Sequence, residues 1–153
     1  MTPSESAEYI LERYWDGTLP VNSAEIASQL GMSLSFDEDI DLSGYYDQQS
    51  QVISINPKES LQRQRYTIAH EIGHAVLGHG SSPRENSQQF NGLGYLADER
   101  DANSFADQLL IPKEILHFLV FRKNVTTIEE LCYCFDVSPE AMKIRLNRLG
   151  YFS

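Results

Sequence analysis

Apolar residues in the first thirty positions recur at helical spacing. In the opening segment they stand three or four residues apart and stop at Gly17, which predicts an amphipathic helix. These positions are Ala7, Ile10, Leu11, Tyr14 and Trp15. Ser23 is a suitable N-cap for a second, shorter helix that ends at Gly31.

Short runs of β-branched and aromatic residues follow and have the pattern of strands. Residues 33–36 predict one short strand. Residues 44–46 and 52–55 flank a polar turn at 47–50, which is typical of a β-hairpin. We therefore expect a small antiparallel sheet that ends at Pro57.

From residue 61 onward the spacing becomes helical again. It predicts helices over residues 61–77, 98–110 and 113–121, with a polar loop containing several glycines at 78–98. Segregated strands and helices of this kind are typical of the α+β class. The loop composition also suits a lid over a binding site.

Two capped helices are predicted near the C-terminus. Thr127 and Glu130 have the spacing of a capping box for a helix through Phe135. Ser138 caps a last helix over residues 139–150. The pair resembles a helix-turn-helix in length and spacing.

These last helices suggest both a domain boundary and an alternative function. We expect residues 123–153 to form a helical subdomain packed on a core of residues 1–122. A helix-turn-helix can bind DNA, so a DNA-binding regulator is one alternative. Residues 126–153, however, carry three basic and four acidic residues, whereas phosphate binding needs the opposite balance.

Overall charge and hydropathy argue against several functional classes, namely nucleic-acid-binding, membrane and secreted proteins. The formal net charge is −10, so indiscriminate binding to nucleic acid or anionic membranes is not expected. No apolar run approaches membrane-spanning length, and the polar N-terminus does not resemble a secretory signal. Cys132 and Cys134 are too close in sequence for an ordinary structural disulfide. We expect a cytoplasmic protein.

Candidate chemistry lies in the helix predicted over residues 61–77. His70 and His74 are four residues apart, so both imidazoles can face one cation. Glu71 follows the first histidine directly, and its carboxylate can accept a proton from water that the cation acidifies. This HExxH spacing predicts a zinc-dependent hydrolase with one zinc ion per chain.

A third ligand is needed, and the spacing excludes one option. The HExxHxxGxxH pattern requires glycine at 77 and histidine at 80, but these residues are Leu77 and Gly80. His79 misses that position by one residue. It remains a candidate for capping the helix or lining the cleft.

A carboxylate on the next helix is the better candidate for the third ligand. Glu99 is the single acidic residue on the apolar stripe of that helix. Asp98, Asp101 and Asp107 project elsewhere and are expected to be solvated. Asn103 lies one turn after Glu99, placed either to hydrogen-bond a ligand or to pack between helices.

Two segments in this order resemble the ImmA/IrrE family of metallo-endopeptidases. They are residues 63–74, RQRYTIAHEIGH, and residues 99–106, ERDANSFA. The resemblance extends from about Ser43 to the C-terminus. Tyr66 is a departure, because phenylalanine is expected there.

The resemblance implies a zincin-like, gluzincin-type fold in which the small sheet packs on the HExxH helix. It implies His70, His74 and Glu99 as zinc ligands and Glu71 as general base. It also implies a substrate, because family members typically cleave helix-turn-helix repressors encoded nearby and thereby derepress mobile-element, prophage or stress genes.

Some assignments stay open at this point. Peptide hydrolysis also needs a group that stabilises the oxyanion formed at the attacked carbonyl, and Tyr95 and His79 are the nearest candidates along the sequence. Binding without cleavage is a further alternative, in which a metal-dependent module or toxin–antitoxin component sequesters its partner.

Overall fold

The computed structural model describes residues 1–79 and 93–151 of the 153-residue chain. Within these ranges the chain forms seven helices and three strands. The helices are α1 (Pro3–Tyr14), α2 (Ser23–Gln29), α3 (Leu61–Val76), α4 (Leu93–Leu110), α5 (Lys113–Phe121), α6 (Ile128–Phe135) and α7 (Pro139–Arg148). The strands are β1 (Ser33–Phe36), β2 (Gly44–Asp47) and β3 (Val52–Ile55). The predicted α+β class is confirmed.

The sheet is mixed, whereas the sequence predicted antiparallel pairing throughout. Strand order is β1-β3-β2, with the expected β2–β3 hairpin and a parallel β1–β3 pair. The difference arises because β3 inserts between the two earlier strands and runs in the direction of β1. Pairing between distant strands depends on tertiary packing and leaves no local pattern in the sequence.

Close packing holds β2 against α3, the helix that carries the HExxH motif. A Cβ atom on Gly44 would lie 2.5 Å from the carbonyl oxygen of Ser54 and 2.6 Å from Cγ2 of Thr67. Any side chain at this position would therefore separate β2 from both neighbours. Thr67 begins the buried part of α3, so this contact fixes the sheet beside the motif.

α3 lies at the centre of the molecule, between the sheet and α4. Its N-terminus is capped by Ser60, whose hydroxyl accepts a hydrogen bond from the Arg63 amide. The core is formed by the inner faces of α1, α3, α4 and the sheet. Its central members are Ile10, Tyr46, Ile53, Ile68, Ile72, Phe105 and Leu109.

α4 begins at Leu93, five residues before the predicted start at Asp98. Glycines in this part of the sequence predict a loop, but Gly94 is within the helix. A glycine costs a helix interior only about 1 kcal/mol relative to alanine, which tertiary packing can offset. None of the described helices is long and apolar enough to cross a membrane.

Two arginines connect the last two helices to the rest of the chain. Arg65 on α3 donates to the carbonyl oxygens of Phe135 and Asp136, at the junction between α6 and α7. Arg145 on α7 is 5% exposed and donates to the carbonyl oxygen of Ile111. Each guanidinium satisfies carbonyl groups that would otherwise lack partners, so the helix pair is attached by specific contacts.

Candidate metal and catalytic site

The HExxH residues converge on one point of α3. His70 and His74 lie one turn apart, and their Nε2 atoms are separated by 3.1 Å. Glu71 and His74 are both buried. The ligand atoms of the two imidazoles and the Glu71 carboxylate all lie within 4.8 Å of one another.

α4 can pack close to α3 at this point because Gly73 of α3 has no side chain. A Cβ atom on Gly73 would lie 3.1 Å from the ring of Phe105, which is tighter than ordinary van der Waals contact. Phe105 is itself fully buried. The short distance between the helices brings Glu99 of α4 onto the histidines of α3.

Glu99 completes a set of three donors. Its Oε2 atom lies 3.1 Å from Nε2 of His70 and 2.5 Å from Nε2 of His74. Ligands around a tetrahedral zinc ion are separated by about 3.3 Å, given metal–ligand bonds of about 2.0–2.1 Å. The three groups fit a small divalent cation after modest side-chain rotation.

The electrostatics of the site also favour a cation. Burial opposes ionisation of Glu99, but hydrogen bonds from His70 and His74 outweigh it and hold the Glu99 pKa below its ordinary value. Burial lowers the pKa of His70, yet the hydrogen bond to Glu99 and the charges of Glu71 and Glu99 raise it overall. Two carboxylates therefore act on one buried site, where a bound cation would neutralise them.

Asn103 contacts His70, which is one of the two placements that the helical spacing allowed. Its Oδ1 atom is 2.9 Å from Nδ1 of His70, which directs the opposite ring nitrogen towards Glu99. The same oxygen accepts a hydrogen bond of 2.9 Å from the hydroxyl of Tyr66. Tyr66 is four residues before His70 on one helix face, a spacing that places it nearby but does not indicate the shared oxygen.

His79 lies behind His74. Its Nδ1 atom is 3.0 Å from Nδ1 of His74, on the ring edge opposite Glu99. Its Nε2 atom is 3.4 Å from Oδ1 of Asp98. His79 therefore contacts His74 and Asp98, on the edge of the His74 ring that faces away from Glu99.

Other predicted positions differ from expectation or lie outside the described residues. Asp107 was expected to be solvated, but its side chain is 13% exposed and pairs with Arg148 at 2.7 Å. Asp98 likewise has a partner in His79. The Tyr95 side chain and most of the proposed lid, residues 80–92, lie outside the described residues.

The site opens into two adjoining cavities. The first, about 290 Å³, lies between β2 and α3 and is lined by Gly44, His70, Glu71 and Glu99 among others. The second, about 510 Å³, extends along α3 to α7. They share a wall formed by Arg63, Tyr66 and Asn103. An open depression beside the histidines thus lies next to a second, larger one.

Comparison with known proteins identifies the family. Residues 32–147 match the family profile described as the IrrE N-terminal-like domain, Peptidase_M78. The radiation response metalloprotease IrrE of Deinococcus deserti is 34% identical over 113 residues, which cover 71% of this chain and 40% of that protein.

A solved structure shares the fold. It is a Mycobacterium tuberculosis transcriptional regulator, with a TM-score of 0.69 and 16% identity over 95% of this chain and 46% of that one. At this identity the likeness concerns the fold alone. The chain spans less than half the length of either relative. With the matched domain covering most of its length and a buried HExxH cluster at its centre, the chain belongs to the ImmA/IrrE family of metallopeptidases, the Peptidase_M78 family.

Proposed function

We propose that this chain is a zinc-dependent endopeptidase that acts in the cytoplasm on a helix-turn-helix repressor encoded nearby. His70, His74 and Glu99 hold one zinc ion, and Glu71 is the general base. The observation that supports this most directly is the convergence of both Nε2 atoms and Glu99 Oε2 within 3.1 Å, beside an open cavity.

The residues of the site have distinct chemical tasks. A divalent cation, when bound, lowers the pKa of water and polarises a peptide carbonyl. Glu71 accepts the proton of the attacking water and transfers it to the leaving amine. Its burial beside the histidines keeps the carboxylate close to the reacting groups.

The two cavities support a polypeptide substrate. They adjoin at three shared lining residues, so residues on either side of a cleaved bond could contact one cavity each. The net charge of −10 also suits a basic partner, because DNA-binding repressors carry positive surfaces.

Contacts of the C-terminal helices support a peptidase over a DNA-binding regulator. Arg145 is buried and donates to the carbonyl oxygen of Ile111, while Arg148 pairs with Asp107. Of the basic residues predicted for these helices, only Lys143 lacks such a contact among the described residues. We further propose that residues 123–153 are a subdomain carried on a core of residues 1–122.

Co-expression with the neighbouring helix-turn-helix protein tests this function. Cleavage by the natural chain, and its loss in Glu71→Gln with zinc content unchanged, would support the proposal. A stable complex without cleavage would favour sequestration. Tight DNA binding at low salt, measured by gel shift, would favour the regulator.

A further inference from the structure

We propose that the hydroxyl of Tyr66 is a positioning group, which fixes the orientation of the Asn103 amide and thereby the tautomer of His70. The inference rests on the proposed function only in that it treats His70 as a metal ligand. The Tyr66 ring stacks on the His70 ring with centroids 6.3 Å apart, while its hydroxyl bonds to Asn103 and not to a proposed ligand atom.

Both Tyr66 and His70 contact the same atom, the side-chain oxygen of Asn103. Asn103 Oδ1 lies 2.9 Å from the Tyr66 hydroxyl and 2.9 Å from Nδ1 of His70. A carbonyl oxygen can accept two hydrogen bonds, whereas the amide nitrogen can only donate. With Oδ1 facing both groups, His70 donates from Nδ1, and Nε2 is the ring nitrogen that faces Glu99 and His74 and remains for a cation.

The inverted amide would have the opposite effect. Nδ2 of Asn103 would then face His70 and require a lone pair on Nδ1. The single proton of the neutral ring would move to Nε2, which is the atom that must bind the cation. An inverted Asn103 therefore holds His70 in a tautomer that cannot coordinate a metal through Nε2.

Tyr66 opposes that inversion because its proton needs an acceptor. The ring is half-buried, and burial is the main cause that raises the Tyr66 pKa above its ordinary value, so the hydroxyl stays protonated. Asn103 Oδ1 is the one acceptor that the described residues provide for it. Inverting the amide would leave a half-buried hydroxyl proton without this partner, which is unfavourable.

This role gives a physical meaning to the departure at position 66. Phenylalanine, the residue expected there, would fill the same space without a hydroxyl. The orientation of Asn103 would then depend on His70 alone. In this chain Tyr66 and His70 both restrain the Asn103 amide, and both contacts are present without a bound metal.

The test uses Tyr66→Phe with Tyr133→Phe as the matched control, because Tyr133 is 88% exposed on α6. Zinc dissociation constants are measured by competition with a chelator. Direct outer partners of metal ligands contribute about 10–100-fold to affinity, so we expect roughly three- to tenfold weaker binding from this more distant group. The control should bind zinc as the natural chain does.

Repeating Tyr66→Phe in an Asn103→Asp variant shows whether Tyr66 acts by positioning the Asn103 amide or only by packing. Asn103→Asp replaces the amide with a carboxylate that presents an acceptor in either orientation. Adding Tyr66→Phe to Asn103→Asp should therefore leave zinc affinity unchanged. An equal loss in both backgrounds, or no loss in the natural background, would overturn the proposal.

The tautomer is also read directly by ¹⁵N NMR of the metal-free protein. We expect Nδ1 of His70 to carry a proton in almost all molecules of the natural chain and in a smaller fraction of Tyr66→Phe. An equal fraction in both proteins would overturn the inference. Because this measurement needs no metal, it decides the role of Tyr66 even if the natural chain binds no zinc, which would instead refute the proposed function.

Discussion

The missing side chain of Gly73 and the ring of Phe105 set how closely α3 and α4 can pack. A Cβ atom at position 73 would lie 3.1 Å from that ring. Because Glu99 reaches the histidines from α4, the same contact controls whether the three donors converge.

Gly73→Ala should therefore destabilise the protein. In an unconstrained helix this change is stabilising by about 1 kcal/mol. Here overpacking against Phe105 opposes it, at a typical cost of about 1–3 kcal/mol. We expect a net loss of about 1 kcal/mol in the free energy of unfolding, measured with urea, together with weaker zinc binding. A gain in stability would show that the helices are free to separate.

The metal ligands can be tested by a matched pair on α4. Glu99→Ala should lose bound metal, measured as the stoichiometry of the purified protein by elemental analysis, because one of three donors disappears. Asp101→Ala removes an equal charge from the same helix and should retain the metal. Unchanged stoichiometry in Glu99→Ala would exclude Glu99 as a ligand.

Local spacing was sufficient to predict which residues lie together at the candidate site. His70, Glu71 and His74 follow from a four-residue interval on one helix. Glu99 follows from helical periodicity, since an acidic residue on an apolar stripe needs a counter-charge. The structure brings all four together.

Features that depend on tertiary contacts could not be predicted in the same way. The parallel β1–β3 pair joins strands that are not consecutive, and the burial of Asp107 depends on Arg148, 41 residues later. The pairing of Asp98 with His79 joins two different segments. Tyr66 departs from the expected phenylalanine, but a sequence does not reveal which atom its hydroxyl contacts.

Two arginines on α7 should differ sharply in their effect on stability. Arg145 is buried and donates to Gln108 and to the Ile111 carbonyl, whereas Arg148 is 55% exposed and pairs with Asp107. Arg145→Met removes the donor to the Ile111 carbonyl and one of the two donors to Gln108 Oε1, the other being the Lys113 amide. It should cost about 2–4 kcal/mol in the free energy of unfolding.

Arg148→Met provides the comparison on the same helix. An exposed ion pair contributes little, so its loss should cost less than about 1 kcal/mol. Both values come from urea unfolding of metal-free protein. Equal losses would mean that attachment of the helix pair does not depend on the buried guanidinium.

His79→Ala should weaken zinc binding without removing a ligand. The contact between Nδ1 of His79 and Nδ1 of His74 holds the His74 ring, and Asp98 holds His79 in turn. Loss of such an outer partner lowers metal affinity by about 10–100-fold. Chelator competition measures this change.

The matched control for that variant is His117→Ala, which removes a histidine on α5 whose ring lies 4.5 Å from that of Phe121. It should leave zinc affinity unchanged. If His79 acts only by orienting His74, excess zinc should restore full occupancy and most of the cleavage activity in His79→Ala. A persistent loss of activity at full occupancy would instead place His79 among the groups that act on the substrate, contrary to the position of its ring behind His74.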